Sequence, residues 1–299
     1  YVELSPMLCA KLVSLEDDFP STRRVAGDGN CFYRAALFAL LEHVLAAPDP
    51  PLGERLESVF TAHLQRIDAP APALPAPSPG ASPRGGPAAT TTTPVGSPRG
   101  AGAGVLTAAA ATAAAQAQAE AGLLPPAHDP SAYRGGQLLL RLLRSAWFKA
   151  PDADAPCDVS TLERLLNHSA DSGDVIRFAR SLTVRELVSA ESFYEPFIPG
   201  CGRDYTGLSL RQICVRHVLP LGFEVEQLQI IALCTALGAT VAVLDVAGSQ
   251  VGAIKHGPEG QRGPPVAWVA HLPGHYDVIY PARPLDVAPG GAGGSRATD

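Results

Sequence analysis

The chain has 299 residues, with 23 Lys and Arg against 29 Asp and Glu, a formal net charge of -6, and only 17% charged residues. So few cations in an acidic chain exclude a basic face for nucleic acid, whose affinity comes mainly from neutralised phosphates. A membrane span is excluded too: the nearest stretch, GVLTAAAATAAAQAQA, is mostly alanine with two glutamines, too weakly apolar to insert.

The six cysteines, Cys9, Cys31, Cys157, Cys201, Cys214 and Cys234, are scattered and form no CxxC pair. Free thiols in a reducing compartment follow, which points to cytoplasm or nucleus. Cys201, Cys214 and His217 lack the further ligands of a zinc site, so neither a metal nor another cofactor is expected. The sequence opens on Tyr1 rather than Met, as a fragment would, so the lack of a leader carries no weight.

Residues 1–68 read as globular. In VAGDGNCFYRAALFALLEHVLA, Gly27, Asp28, Gly29 and Asn30 form a loop, and apolar residues at helical spacing follow from Phe32. The pattern predicts a helix over 32–47, ended by APDPP, with Cys31 at its N-terminus. The helix dipole and free N–H groups there favour a thiolate. That placement suits a nucleophile, and it suits a merely buried cysteine as well. A second helix is predicted from Leu52 to Ile67, with Leu56, Val59, Phe60 and Leu64 on its apolar face.

Composition changes abruptly at residue 69. The Ala/Pro/Gly/Ser/Thr-rich stretch 69–130 has too few large apolar residues to offset the entropy of ordering, and reads as a disordered insertion within one domain. GGQLLLRLLRSAWFKA then predicts an amphipathic helix over 135–150, with Arg141 and Arg144 on the wet side. Capping-box patterns stand at Ser160–Glu163, Thr183–Glu186 and Ser209–Gln212. EVEQLQIIALCTALG is a helix closed by Gly238. ATVAVLDV reads as a buried strand, and PVAWVAHL and YDVIYP as two strands joined at PGH in a hairpin. The tail, 285–299, reads as flexible. Helices first and strands last imply an α+β domain with a small sheet, assembled from 1–68 and 131–284.

A catalytic thiol needs a base, and the base needs an orienting group. His43 is too far along the helix after Cys31 to reach back. His63 and His168 lie on predicted helices with no acid at useful spacing, His128 borders the insertion, and His217 and His256 read as solvated or capped. His271 lacks an acid. His275 opens the last strand, and Asp277 two residues on points to the same face. Gly274 leaves room beside it, although a turn histidine on a hairpin reads the same way.

Taken together, GDGNCFYRA and PGHYDVIY strongly resemble the ovarian-tumour (OTU) family of cysteine deubiquitinases, and within it the otubains. LLLRLLRSAWF and the stretch from SFYEPFIPGCGRDYTGLSLRQ to ATVAVLD are similar to the family as well, over 15–68 and 131–284 in all. The insertion 69–130 and residues 151–184 depart from the pattern.

The resemblance implies a papain-like OTU fold with a small β-sheet between helical regions, and no cofactor. It implies Cys31 as nucleophile, His275 as general base, Asp277 as the acid that orients it, and Asp28 as the loop aspartate beside an oxyanion hole of loop amides. Geometry favours Asp277 over Asp28 as third member of a triad, and Asp28 as a shaper of the loop. Gly29 and Asn30 complete that loop, Asn30 with an internal hydrogen bond as its plainer role. Gly274, Trp268 and Tyr276 flank His275 and are candidate walls of a channel for the C-terminal glycines of ubiquitin, with sheet packing as the alternative for the two aromatic residues.

The implied partners are ubiquitin and polyubiquitin, with ubiquitin-conjugating enzymes in addition, and the protein itself is expected to be a monomer. Non-catalytic binding, or action on a ubiquitin-like modifier, stays open.

Overall fold

The computed structural model describes residues 5–46, 50–68, 129–148, 158–258, 260 and 264–285. The expected insertion falls outside these residues up to position 128, as does the tail beyond Leu285.

Five strands form one sheet in the order β1–β5–β4–β2–β3. They are β1 (Ser21–Arg23), β2 (Val241–Asp245), β3 (Gly252–His256), β4 (Ala267–Leu272) and β5 (His275–Tyr280). The β4–β5 hairpin turns through Pro273 and Gly274, with Leu272 opposite His275. Gly274 has φ 67°, the left-handed angle that a Pro-Gly turn needs at its second position. β2 runs parallel to β4 and sets Asp245 beside His271. β3 and β1 were not foreseen. β3, with its sequence GAIKH, carries Gly and Lys on a half-exposed edge, and β1 has only three residues, so neither shows a strand-like apolar run.

On one face of the sheet lies α2 (Cys31–Ala46), buried nearly all round, with Phe32, Leu37, Phe38, Leu40 and Leu41 among its core residues. Each such side chain stabilises the fold by roughly 1.5–3 kcal/mol through burial. Around α2 pack α3 (Pro50–Ile67), α4 (Pro130–Phe148), α5 (Val159–Glu163), α6 (Ser172–Ser189) and, beyond α7 (Glu191–Tyr194) and α8 (Leu210–Ile213), α9 (Gln227–Leu237). The other face of the sheet carries α1 (Pro6–Ser14), whose Leu8 and Leu12 pack with Phe19 and Trp268. The small sheet thus lies between helical regions in an α+β domain. Among the described residues no helix is long and apolar enough to cross a membrane.

The caps sort the expected capping boxes. Ser209 and Gln212 form one, as does the pair Glu226 and Gln229 at α9. Asp158 caps α5 in place of Ser160. Thr183 sits inside α6, where its hydroxyl donates to the Ala179 carbonyl, because the apolar periodicity continues through it.

Candidate active site

The chain leaves β1, passes along β5, and turns into α2. Val25 N–H donates to Asp277 Oδ1 at 3.0 Å, which fastens the start of the nucleophile loop to the hairpin. Gly29 has φ 74°, and a Cβ there would lie 2.2 Å from the Gly222 carbonyl oxygen, so both its angle and its contact require glycine. Cys31 is the first residue of α2 and is buried.

Asp28 and Asn30 have different duties. Asp28 Oδ1 accepts the Asn30 N–H at 3.1 Å, and its carboxylate pairs with Arg34 at 2.5 Å. Partial burial pushes the Asp28 carboxyl up, but the Arg34 and Asn30 hydrogen bonds outweigh it and hold the group below the usual carboxylate range. With its carboxylate spent on Asn30 and Arg34, Asp28 sets the loop. Asn30 reaches out of the loop: its Oδ1 accepts from Arg180 Nε and Nη2 at 3.1 and 2.8 Å and from Gly222 N–H at 3.1 Å. Its Nδ2 bond to the Asp28 carbonyl, at 3.3 Å, is the internal contact foreseen for it.

Arg180 was not singled out from sequence. It is 1% exposed, and it also donates to the carbonyls of Gly29, Val218 and Phe223 while its guanidinium lies 4.6 Å over the Tyr33 ring. Among the described residues no carboxylate forms an ion pair with it. One cation on α6 thereby ties the nucleophile loop to α2 and to the 218–223 segment. A lone Arg in RFARSL carries no such signal, since helical spacing alone cannot say which loop a buried guanidinium will meet. Asn167 and Leu166 assist, the first accepting from Ala26 N–H at 3.1 Å and the second from Arg34.

On the hairpin, His275 Nε2 lies 2.8 Å from Asp277 Oδ1, and Asp277 is buried. A carboxylate only accepts, so Nε2 carries the hydrogen and Nδ1 is the basic nitrogen. Nδ1 faces the loop: a Cβ on Gly27 would lie 3.4 Å from it. Cys31, His275, Gly29, Gly274 and Tyr276 line one cavity of about 30 Å³, together with Phe32, Glu224, Val225 and His271. That is room for about one water. Trp268 is not there. Alternation along β4 turns it to the other face, against Phe19 at 5.3 Å between centroids, so it packs rather than walls a channel. A larger cavity, about 650 Å³, lies at the opposite end of the hairpin beside Trp268 and Tyr280 and contains none of the candidate catalytic residues.

Burial raises the Cys31 thiol pKa most. The N–H groups of Tyr276, Phe32 and Cys31 face the sulfur and lower it, Glu224 raises it, and the net shift is upward. The helix terminus acts in the expected direction, but desolvation outweighs it, and the resting site favours the thiol. Cys214 and Cys234, pushed up to about 12 by burial, have no such access.

Of two histidines read as solvated or capped, one is buried and the other half-buried. His256 is buried and pushed down to about 4 by desolvation, and His217 lies between the Tyr205 and Phe223 rings. His63 is also buried, its Nε2 2.8 Å from Ser181 Oγ, and burial, then Arg185 and Arg66, push it down to about 4. His271 does have an acid, Asp245 of the neighbouring strand, Nδ1 to Oδ1 3.0 Å. Its partner lies 26 residues away in sequence, out of reach of a search for local spacing. Among the described residues no group of three or more His, Cys, Asp or Glu side chains could hold a metal ion.

The sequence matches the family described as Peptidase C65 Otubain over residues 1–69 and 151–281. The match runs through 151–184, which corrects the reading of that stretch as a departure: it carries Asn167 and Arg180, which brace the loop. Residues 131–150, counted with the resemblance, fall outside the match. A deubiquitinating enzyme 1 with an ovarian tumor domain from Arabidopsis thaliana is 23% identical over 94% of this chain and 76% of its own length. The ubiquitin thioesterase OTUB1 of Homo sapiens is 29% identical over 41% of this chain and 43% of its own. A solved complex of h/ceOTUB1 with ubiquitin aldehyde and UBC13~Ub superposes with a TM-score of 0.60 at 18% identity, over 94% of this chain and 84% of that one, and shares the fold. The chain belongs to the otubain family of peptidases.

Proposed function

We propose that this protein is a cysteine deubiquitinase that hydrolyses the isopeptide bond after the C-terminal glycine of ubiquitin, on proteins or on polyubiquitin. One observation carries the reading: Cys31 and His275 line the same cavity, and Asp277 occupies the histidine's other nitrogen. The relatives named as deubiquitinating enzyme and ubiquitin thioesterase supply the substrate class.

In the proposed reaction the Cys31 thiol gives its proton to His275 Nδ1, and the sulfur attacks the scissile carbonyl. Asp277 stabilises the imidazolium through Nε2–H. The Asn30 amide is committed to Asp28, so the oxyanion falls to the amides of Gly29 and Cys31. Collapse breaks the C–N bond, and the lysine amine leaves with the proton from His275. Water, deprotonated by His275, then cleaves the thioester, releasing the ubiquitin carboxylate and the thiol. The cavity is too narrow for a peptide at rest, so substrate has to widen it as it enters.

Ubiquitin bearing a C-terminal thiol-reactive group is the test. The expected result is a mass gain of one ubiquitin, absent in Cys31→Ala and strongly slowed in His275→Ala. A folded wild-type protein that gains nothing would overturn the proposal. Conjugating enzymes are a second class of partner by analogy with the complexes of UBC13~Ub and UBCH5B~Ub with the structural neighbours. Binding of such an enzyme by Cys31→Ala would separate that role from cleavage.

A further inference from the structure

The cavity that holds Cys31 and His275 has a second histidine on its wall. His271 closes β4, and its Nδ1 is 3.0 Å from Asp245 Oδ1 at the end of β2. The two residues are register partners across parallel strands, so the pair is built into the sheet. The carboxylate requires a hydrogen on Nδ1, which fixes the tautomer and makes Nε2 an acceptor while the ring is neutral. Asp245 does not line the cavity, whereas His271 does, so Nε2 is the ring nitrogen left for an occupant. The ring stacks on Tyr276, 4.7 Å between centroids and 24° between planes, and Tyr276 meets Phe32 edge-on at 5.3 Å. The chain Asp245–His271–Tyr276–Phe32 therefore forms a braced wall running to the residue after Cys31. Both members of the pair keep about a third of their side-chain surface exposed, 34% and 40%, as a contact for an incoming chain requires.

We propose that His271 is a substrate-binding residue: its Nε2 accepts a backbone N–H of the extended peptide segment that carries the scissile carbonyl into the cavity, and Asp245 is the positioning residue that keeps that lone pair turned inward. The inference rests on the deubiquitinase reading for its substrate. It differs from the catalytic base in what it predicts: His271 contributes to holding the acyl segment, His275 to moving the proton.

The test uses the full chain, ubiquitin carrying a C-terminal fluorogenic amide, and iodoacetamide as a small thiol reagent. His271→Phe keeps the ring on Tyr276 and removes the acceptor. His271→Gln replaces Nε2 with an amide oxygen at similar reach. The expected result is a KM about fivefold higher in His271→Phe, the size of one neutral hydrogen bond, with kcat little changed and the rate of Cys31 alkylation unaltered. His271→Gln recovers most of the loss. An unchanged KM in His271→Phe, or an equal KM rise in both variants with slower alkylation, overturns the proposal. If His271→Phe does not fold, Asp245→Ala carries the test, since it removes the oxygen that holds Nδ1–H and frees the ring to turn: a raised KM supports the contact and an unchanged KM overturns it. Wild-type protein that alkylates but never releases fluorophore defeats the deubiquitinase reading, and this inference with it. Wild-type turnover matched by His271→Phe defeats the inference alone.

Discussion

The nucleophile loop and the histidine hairpin meet in one cavity, yet they are held from different distances along the chain. His275 and Asp277 are two residues apart on one strand, and the turn that presents them is two residues long. Cys31 depends on Arg180, 150 residues from Asn30, and on Gly222, 192 residues from it. A strand fixes its own geometry, whereas a loop at a helix terminus takes its shape from whatever is packed against it. One half of the site should therefore tolerate distant damage, and the other should fail with it.

The sharpest way to break the comparison is Arg180→Met. It removes five hydrogen bonds and leaves Asn30 Oδ1 and three carbonyls buried with fewer donors. The cost is on the order of 4 kcal/mol, enough to lower the melting temperature by about 10 °C in a domain of this size. Differential scanning calorimetry reads it, and Arg180→Lys, which keeps the charge but not the planar fork, should recover only part. A melting temperature within a degree or two of wild type would mean that the loop does not depend on this cation.

Gly29→Ala comes next. It forces a non-glycine residue to φ 74° and sets a methyl 2.2 Å from the Gly222 carbonyl oxygen. Roughly 2 kcal/mol of destabilisation is expected from the angle and the displaced backbone. The rate of the ubiquitin probe reaction should fall by more than stability alone accounts for, because the displaced amides are those proposed for the oxyanion.

Asp277→Asn acts on the other half. His275 Nε2 and Val25 N–H share one oxygen, Oδ1, so asparagine keeps an acceptor for both but loses the negative charge that stabilises the imidazolium. The expected loss is ~10²-fold in kcat, the range of a positioned general base, with KM and melting temperature little changed. Retained kcat would show that the strand holds the imidazole without its acid.

The same contrast sets what was legible in the sequence. The hairpin was readable because its information is local: Pro273 and Gly274 state the turn, and His275 and Asp277 share a face by period two. The Cys31 helix was readable from its spacing, and Gly29 from its loop. Arg180, Asn167 and the Asp245–His271 pair were not, since each joins elements whose adjacency exists only after the sheet order and the α2–α6 packing are set. Trp268 was misplaced for a related reason. Nearness to His275 in sequence says nothing of face, and Trp268 lies three residues, an odd offset, from His271 on β4, which carries its ring away from the cavity.

The mildest test concerns the thiol itself. Two influences raise the Cys31 pKa, burial first and the Glu224 carboxylate after it, against three N–H groups that lower it. Alkylation by iodoacetamide follows the thiolate fraction, so its rate in wild type should climb with pH up to and beyond the ordinary thiol range near 9. Glu224→Gln removes a like charge and keeps the shape. The pH profile should then move toward lower pH, and the rate at pH ~7.5 should rise, though by far less than the ~10²-fold set by Asp277. Because burial is the larger influence, the substituted profile should still lie above that of an exposed cysteine. A profile that dropped below it would mean that Glu224, not desolvation, keeps the resting thiol protonated. The site would then be governed by one movable carboxylate rather than by the depth of α2.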